Sequence, residues 1–269
     1  MNFTQIEIAM QAPAVIITRP PHQAQHLQAL LEKAGRSTIV FPLFEIEPIS
    51  ENAALDQALR DLASFALVVF VSPNAVDAWF QRLASAWQWP AEVAIAVVGA
   101  ASRQALLNYG IDDQHVRIFS PSNTERTDSE TLLTELDLPA LKSKKVLLVR
   151  ADSGRDFLAD ALRDAQIEVQ AITAYRRVTP TFDASKRQDL QAYLNASCDW
   201  VITSSAVLKT LLNWCAQLDQ PDAVAKMQQQ HLFVPHFRIA EVASELGFKH
   251  IRLTASGDEK LLLALQSPL

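Results

Sequence analysis

The sequence predicts an α/β protein with two duplicated parallel-sheet domains, and two observations lead to this prediction. Short apolar runs alternate with segments of helical periodicity, which is the pattern of a parallel sheet covered by helices. The chain also repeats itself, since residues 14–48 align with the segment from Lys145 onward at an offset of 131 residues, with Arg19 under Arg150. A chain of 269 residues has room for two such units of ordinary domain size.

Composition narrows the possible functions. With 49% apolar and 20% charged residues, the chain has the composition of a soluble globular protein. Its net charge of −6 provides no broad basic surface, so we expect no nucleic-acid partner. Cys198 and Cys215 form no CxxC motif, which indicates a reducing compartment. Because the N-terminus lacks a signal-peptide pattern and no apolar run could span a bilayer, we expect a cytoplasmic protein without membrane contact.

The first copy opens with a strand and a helix. After a loose N-terminal tail, residues 14–18 form an apolar strand, and apolar residues at helical spacing then lead to Gly35, a typical helix stop. Residues 39–48 are predicted to be extended. Since ligands of open α/β sheets bind at the carboxyl ends of strands, Arg19 is either a ligand residue or a polar surface residue.

Two further strands of this copy end in turns of small or polar residues. Residues 66–71 are apolar on both faces, which predicts a central strand, and the helix at residues 75–84 follows with Ser72 as its cap. Residues 93–98 predict the next strand. Its turn begins at Gly99, where a backbone or ligand could approach closely. The copy closes with a short strand and a helix in the motif SETLLTEL.

The second copy repeats this order. Residues 146–149 begin another strand–helix–strand unit, and residues 199–203 form the next strand. At the turn after the following strand, His236 stands where the first copy has Gly99. We expect His236 to be packed or solvated, because no Ser, Cys or carboxylate nearby in the sequence is placed to use it. A late strand and a helix at residues 259–265 mirror the end of the first copy.

The candidate ligand-binding residues are hydrogen-bond donors at mirrored strand ends. Walker A, HExxH, GxSxG and EF-hand motifs do not occur, and the sequence lacks the acidic pairs that hold Mg²⁺. Two sheet edges that present donors and helix N-termini suit a large ligand with several carboxylates or phosphates. The donors at these positions are Arg19, Ser72, Asn74, Ser102, Arg150, Thr203, Ser205 and Arg238.

One residue breaks the symmetry between the copies. Tyr175 occupies the position of Phe44, so the second copy carries an added phenolic hydroxyl. That hydroxyl could donate a proton to a leaving oxygen, or the ring could simply pack on its strand. His22 and His26 lie four residues apart without an acidic or Cys partner nearby in the sequence, so we expect both to be solvated rather than to bind a metal.

Eight short motifs occur in an order and spacing that resemble one family. They are TRP, FVSPNAV, VVGAAS, SETLL, VLLVRADSGRD, AITAYRR, VITSSAV and RIAEVASELGF. Together they resemble uroporphyrinogen-III synthase from residue 14 to residue 265. The resemblance implies two α/β domains joined by a two-stranded antiparallel linker, with the ligand cleft between them. Domain one would be discontinuous, with residues 1–43 and 177–269, and domain two would hold residues 44–176.

The resemblance also implies a reaction and its residues. The family converts the linear tetrapyrrole hydroxymethylbilane to uroporphyrinogen III, inverting ring D, without a cofactor or metal. By position, the family's cleft tyrosine is Tyr175, its Thr-Ser pair is Thr203 and Ser204, and its N-terminal arginine is Arg19. Gly99 is retained as a substrate-binding position, whereas the second copy has Val-Pro-His where many relatives have a glycine.

The expected partners follow from this reaction. We expect a monomer that binds hydroxymethylbilane and contacts the preceding deaminase transiently. Two other classes of protein stay open at this point. A two-domain glycosyl or phosphoryl transferase would bind a nucleotide, and a two-lobed small-molecule sensor would hold its ligand without turnover.

Overall fold

A computed structural model describes residues 12–83, 88–122 and 128–267 of the chain. The described residues divide into two units. One unit holds the residues up to Phe44, Thr179–Thr254 and the residues from Asp258 onward, and the other holds Glu45–Val178 and Ala255–Gly257. The domain boundaries implied by the resemblance lie at 43/44 and 176/177.

The secondary structure alternates between strands and helices along the chain. The strands of the described residues are β1 (Ala14–Ile17), β2 (Thr38–Val40), β3 (Glu45–Pro48), β4 (Leu67–Phe70), β5 (Ala94–Val97), β6 (Ile118–Phe119), β7 (Lys145–Ala151), β8 (Glu168–Val178), β9 (Cys198–Val201), β10 (His231–Val234) and β11 (His250–Leu253). The α-helices are α1 (Pro21–Lys33), α2 (Ala53–Arg60), α3 (Pro73–Phe80), α4 (Ala100–Asn108), α5 (Ser129–Glu135), α6 (Leu138–Leu141), α7 (Phe157–Asp164), α8 (Ala184–Asn195), α9 (Ser205–Ala216), α10 (Ala223–Gln228), α11 (Phe237–Glu245) and α12 (Asp258–Gln266).

Each unit is built on its own sheet. The first unit has a five-stranded parallel sheet in the order β11-β10-β9-β1-β2. The second has a six-stranded sheet in the order β3-β8-β7-β4-β5-β6, in which only β3 runs antiparallel, pairing Glu45 with Val178. The predicted α/β class with parallel sheets is therefore confirmed. Apolar side chains cover both faces of the central strands, as in β4, which is buried throughout.

Neither sheet corresponds to one copy of the sequence repeat. In the first unit, β1 of the first copy pairs with β9 of the second copy, and β2 follows on the other side of β1. In the second unit, β7 of the second copy pairs with β4 of the first, and β8 follows on the other side of β7. The two copies have thus exchanged their strand–helix–strand units, and each sheet repeats the same strand order apart from the added β3.

Several predicted elements differ from the observed ones at their ends. The predicted extended segment 39–48 forms two strands, because Phe41 and Leu43 between them are buried in the core of the first unit. The predicted helix 75–84 begins earlier, at Pro73, since a proline fits the first turn of a helix. It ends at Phe80, before the predicted end, and residues 81–83 form a turn. Residue 84 itself and most of the predicted tail lie outside the described residues. None of the described helices is long and apolar enough to cross a membrane.

Candidate active site

The second unit gathers candidate residues at one edge of its sheet. Phe70 pairs with Val97 on one side and with Val149 on the other, so β4, β5 and β7 end side by side. Ser72, Gly99 and Arg150 follow at or beside these strand ends. This is the carboxyl edge at which open α/β sheets bind their ligands.

Ser72 and Tyr175 form the closest association among the candidates. Ser72 is the N-cap of α3, and its Oγ accepts a hydrogen bond from the Ala75 N–H at 3.2 Å, as the sequence predicts. The same Oγ lies 2.8 Å from the Tyr175 hydroxyl. Both residues are buried, with relative exposures of 9% and 1%. Two hydroxyl groups from positions 103 residues apart are therefore hydrogen-bonded inside the second unit.

A break in the β7–β8 ladder lies directly before Tyr175. Arg150 pairs with Thr173, but the next residue, Ala151, pairs with Tyr175, so Ala174 is left over. Such a bulge changes the direction of the side chains that follow it. The Tyr175 ring joins the apolar core below α3. The Tyr175 ring therefore packs in the core while its hydroxyl is hydrogen-bonded to Ser72.

Arg150 and Tyr175 also line a small cavity of about 130 Å³. Arg150 is paired with Asp156 and donates to the Gly154 carbonyl oxygen at 3.1 Å. Gly154 has a φ of +134°, a conformation that L side chains rarely adopt, which explains the glycine in this loop. Two nitrogen atoms of the Arg150 guanidinium are thus already bonded to residues of its own loop.

Sequence reasoning missed two arginines of this cavity. Arg155 and Arg177 line it as well. Arg155 lies 2.7 Å from Glu130, and that hydrogen bond raises the pKa of the guanidinium. Arg155 stands in the motif ADSGRD, in the turn that follows Arg150, and Arg177 stands in the motif AYRR, two residues after Tyr175, so a search for cations around these two candidates in the sequence would have found them.

Two other candidates of the second unit are also buried. Asn74 is 8% exposed and Ser102 is 3% exposed. Gly99 is the N-cap of α4 and its φ of −167° is extended backbone that any residue adopts. The close approach expected at Gly99 therefore does not depend on a conformation that only glycine can adopt.

The first unit forms an equivalent edge. Val201 pairs with Ile17 on one side and with Phe233 on the other, so β1, β9 and β10 end together. The candidate residues that follow these strands are Arg19, Thr203, Ser204, Ser205 and Arg238. The three hydroxyl residues are half-buried, and Ser204 is the N-cap of α9 without a side-chain cap bond.

Two residues at the start of α11 have structural roles. His236 is the N-cap, and its Nδ1 accepts from the Arg238 N–H at 3.2 Å. The Arg238 guanidinium lies 5.5 Å from the centre of the Phe237 ring, within reach of a cation–π interaction. His236 is thus packed at a helix end, in line with the sequence analysis.

Arg19 has an internal anionic partner that the sequence analysis did not foresee. Its Nη1 lies 2.8 Å from Asp258 Oδ1, and both side chains are mostly buried, at 15% and 14% exposure. The other oxygen of Asp258 lies 3.0 Å from His26 Nδ1. His22 and His26 are exposed, as predicted, but His26 does have an acidic partner, from a distant helix. Arg19, a candidate for anion binding, is therefore already paired with a carboxylate of its own chain.

The structure brings the candidates together in two sets, one in each unit. Tyr175, Ser72, Asn74, Gly99, Ser102 and Arg150 belong to the second unit, and the other five belong to the first. Residues 12–83, 88–122 and 128–267 contain no cluster of three His, Cys, Asp or Glu side chains that could hold a metal ion.

The chain matches a family model described as uroporphyrinogen-III synthase HemD over residues 25–262. This match covers most of both repeats. The chain belongs to the uroporphyrinogen-III synthase family. Curated relatives include the uroporphyrinogen-III synthases of Salmonella typhimurium, 27% identical over 94% of this chain and 100% of the relative, and of Escherichia coli, 26% identical over the same shares.

Solved structures of other uroporphyrinogen-III synthases share the fold. A mutant of the Thermus thermophilus enzyme matches with a TM-score of 0.59 and 16% identity, covering 95% of this chain and 98% of its own. The Helicobacter pylori enzyme matches with a TM-score of 0.57 and 17% identity, covering 94% and 98%. At such low identity the similarity concerns the fold. The family membership rests on the family model.

Proposed function

We propose that this chain is a uroporphyrinogen-III synthase that cyclises hydroxymethylbilane, with loss of water and inversion of ring D. The family match from residue 25 to residue 262 is the observation that carries the proposal. The two sheet edges with their arginines and hydroxyls agree with a substrate that carries many carboxylates. The nucleotide-dependent transferase and the sensor are set aside, because the family match supports a uroporphyrinogen-III synthase over both.

The protein has to steer a reactive substrate in this proposal. Loss of the terminal hydroxyl leaves an azafulvene electrophile, which closes to the uninverted type I isomer when left to itself. Attack at the substituted carbon of ring D, through a spiro intermediate, requires the chain to be held folded. Positioning can contribute roughly 7 to 11 kcal/mol in favourable systems. The carboxylate-binding donors should therefore matter as a set.

We assign the donors by their places at the sheet edges. In the first unit these are Arg19, Thr203, Ser204, Ser205 and Arg238, and in the second unit Ser72, Asn74, Gly99, Ser102 and Arg150. Tyr175 is the proposed general acid for the leaving hydroxyl. Its place beside Ser72 and on the small cavity supports this role. The ligand cleft expected from the resemblance stays a prediction.

Three further expectations belong to the same proposal. The reaction needs no organic cofactor or metal, since each step is a proton transfer, a loss of water or a carbon–carbon bond formation. The protein acts as a cytoplasmic monomer. It receives its unstable substrate from the preceding deaminase in a transient contact.

The product isomer tests the proposed function. Freshly prepared hydroxymethylbilane is added to the protein with and without a chelator, and the type III and type I isomers are separated by chromatography. We expect type III to dominate in both samples, whereas heat-denatured protein should give the type I isomer of spontaneous closure. A type III fraction no higher than in the denatured control would refute the proposal. Loss of type III on chelation, restored by a divalent ion, would refute its metal-free form.

A further inference from the structure

The hydrogen bond between Ser72 and Tyr175 leaves one hydroxyl proton unused. The pair has two O–H protons, and the 2.8 Å contact between the oxygens uses one of them. The Ala75 N–H occupies one lone pair of Ser72 Oγ. Among residues 12–83, 88–122 and 128–267, neither hydroxyl has another hydrogen-bond partner. One O–H of the pair therefore has no acceptor among the described residues.

The surroundings of the pair indicate which proton a ligand would meet. Tyr175 lines the 130 Å³ cavity beside Arg150, whereas Ser72 is not among its lining residues. A hydroxyl rotates to suit its partners, so Ser72 can either donate to Tyr175 or accept from it. When Ser72 donates, it uses its proton on the Tyr175 oxygen and the tyrosine proton becomes the unused one. In that arrangement the tyrosine proton is the one that the pair does not use, and it lies on the residue that lines the cavity.

We propose that Ser72 is a positioning residue that accepts from the Ala75 N–H and donates to the Tyr175 oxygen, so that Tyr175 gives its proton to the leaving hydroxyl of the substrate. This inference rests on the proposed function and assigns Ser72 a role other than the direct substrate contact expected at first. This direction of the hydrogen bond requires only rotation of the two hydroxyl groups, so neither residue has to move.

The proton balance of this step is simple. The Tyr175 O–H bond breaks, and its proton passes to the leaving oxygen as the carbon–oxygen bond breaks. That oxygen keeps the bonding electron pair and departs as water, while the pyrrole nitrogen supplies electrons to the carbon. The phenolate that remains accepts the Ser72 hydrogen bond, which becomes stronger because the acceptor is now charged. The proton that the ring loses on regaining aromaticity restores the phenol.

Single and double variants test this assignment. Ser72→Gly removes the hydroxyl with little loss of helix capping, because glycine is tolerated at the N-cap. We expect kcat for type III formation to fall by about 10- to 100-fold with KM nearly unchanged, since a hydrogen bond to a charged group is lost mainly in the transition state. In the Tyr175→Phe background, Ser72→Gly should change kcat by less than about twofold. Ser72→Thr keeps the hydroxyl and should restore kcat to within about threefold of the wild type.

Each outcome of this test is decisive. Equal losses of kcat from Ser72→Gly in the wild-type and Tyr175→Phe backgrounds would overturn the inference, and so would a failure of Ser72→Thr to restore activity. If Ser72→Gly does not fold, Ser72→Cys replaces it, because a thiol is only a weak donor, and the same coupling is expected. Wild-type protein that forms no type III isomer would refute the proposed function itself. Wild-type activity with uncoupled variants would refute only the role of Ser72.

Discussion

Replacing Tyr175 with phenylalanine removes one oxygen from the core of the second unit. The ring is 1% exposed, and its hydroxyl lies 2.8 Å from Ser72 Oγ. Phenylalanine keeps the packing of the ring but removes this buried hydrogen bond. Its loss should lower the free energy of unfolding by about 0.5 to 1.5 kcal/mol. For a chain of this size, that corresponds to a fall in Tm of roughly 1 to 3 °C.

The effect of Tyr175→Phe on activity should be much larger than its effect on stability. If the hydroxyl protonates the leaving group, the rate of type III formation should fall between about tenfold and the 10²- to 10⁴-fold that is typical of a general acid. Spontaneous closure continues meanwhile, so the product mixture should shift toward type I at fixed enzyme and time. The assay combines the initial rate, the isomer ratio and thermal unfolding of the same preparation.

Tyr193→Phe is the matched control. Tyr193 lies in the first unit, within the aromatic cluster of Phe41 and Trp200, and burial raises the pKa of its phenol. Removing its hydroxyl should leave the rate of type III formation unchanged. Tyr175→Phe protein that forms type III at the wild-type rate would show that Tyr175 only packs. The search for the acid would then move to Thr203, Ser204 or a bound water.

The charged edge residues and the buried thiols lead to two further predictions. Arg19→Ala and Arg150→Ala should each raise KM by about tenfold with little change in kcat, because a charged hydrogen bond contributes about 1.5 to 3 kcal/mol. An unchanged KM at both low and high salt would contradict the role of the sheet edges in substrate binding. Burial raises the pKa of the Cys215 thiol from 9.0 to about 12. The unfolded chain therefore loses this proton first, and stability should fall as the pH rises from 9.0 toward 12. Chemical unfolding at several pH values should show a shallower fall for Cys215→Ala, and equal slopes would contradict the prediction.

The Arg19 and Tyr175 sites show how far sequence reasoning extends into the candidate site. Their positions at strand ends follow from the apolar periodicity and from the turn residues that interrupt it, because a parallel strand must end in a polar turn before its helix begins. The partner of Arg19 does not follow, since Asp258 stands 239 residues away and meets it only when α12 packs beside α1. The bond between Ser72 and Tyr175 was also beyond prediction. It depends on a bulge at Ala174 that no local pattern indicates.

The sequence by itself determined the α/β class, the alternation of strands and helices, and the cap at Ser72. These features depend on neighbouring residues, through side-chain periodicity and the hydrogen bonds of the first helical turn. The local pattern of the sequence did not decide which copies of the repeat share a sheet: the discontinuous domain one was implied only by the family resemblance, and the strand pairs come from the tertiary structure. The apolar strands of the two copies are so similar that β7 and β1 are equally suitable neighbours for β4 in terms of local pattern. The pairing of β4 with β7, and of β9 with β1, is a property of the folded chain, because long-range strand pairing depends on packing and chain connection rather than on local sequence.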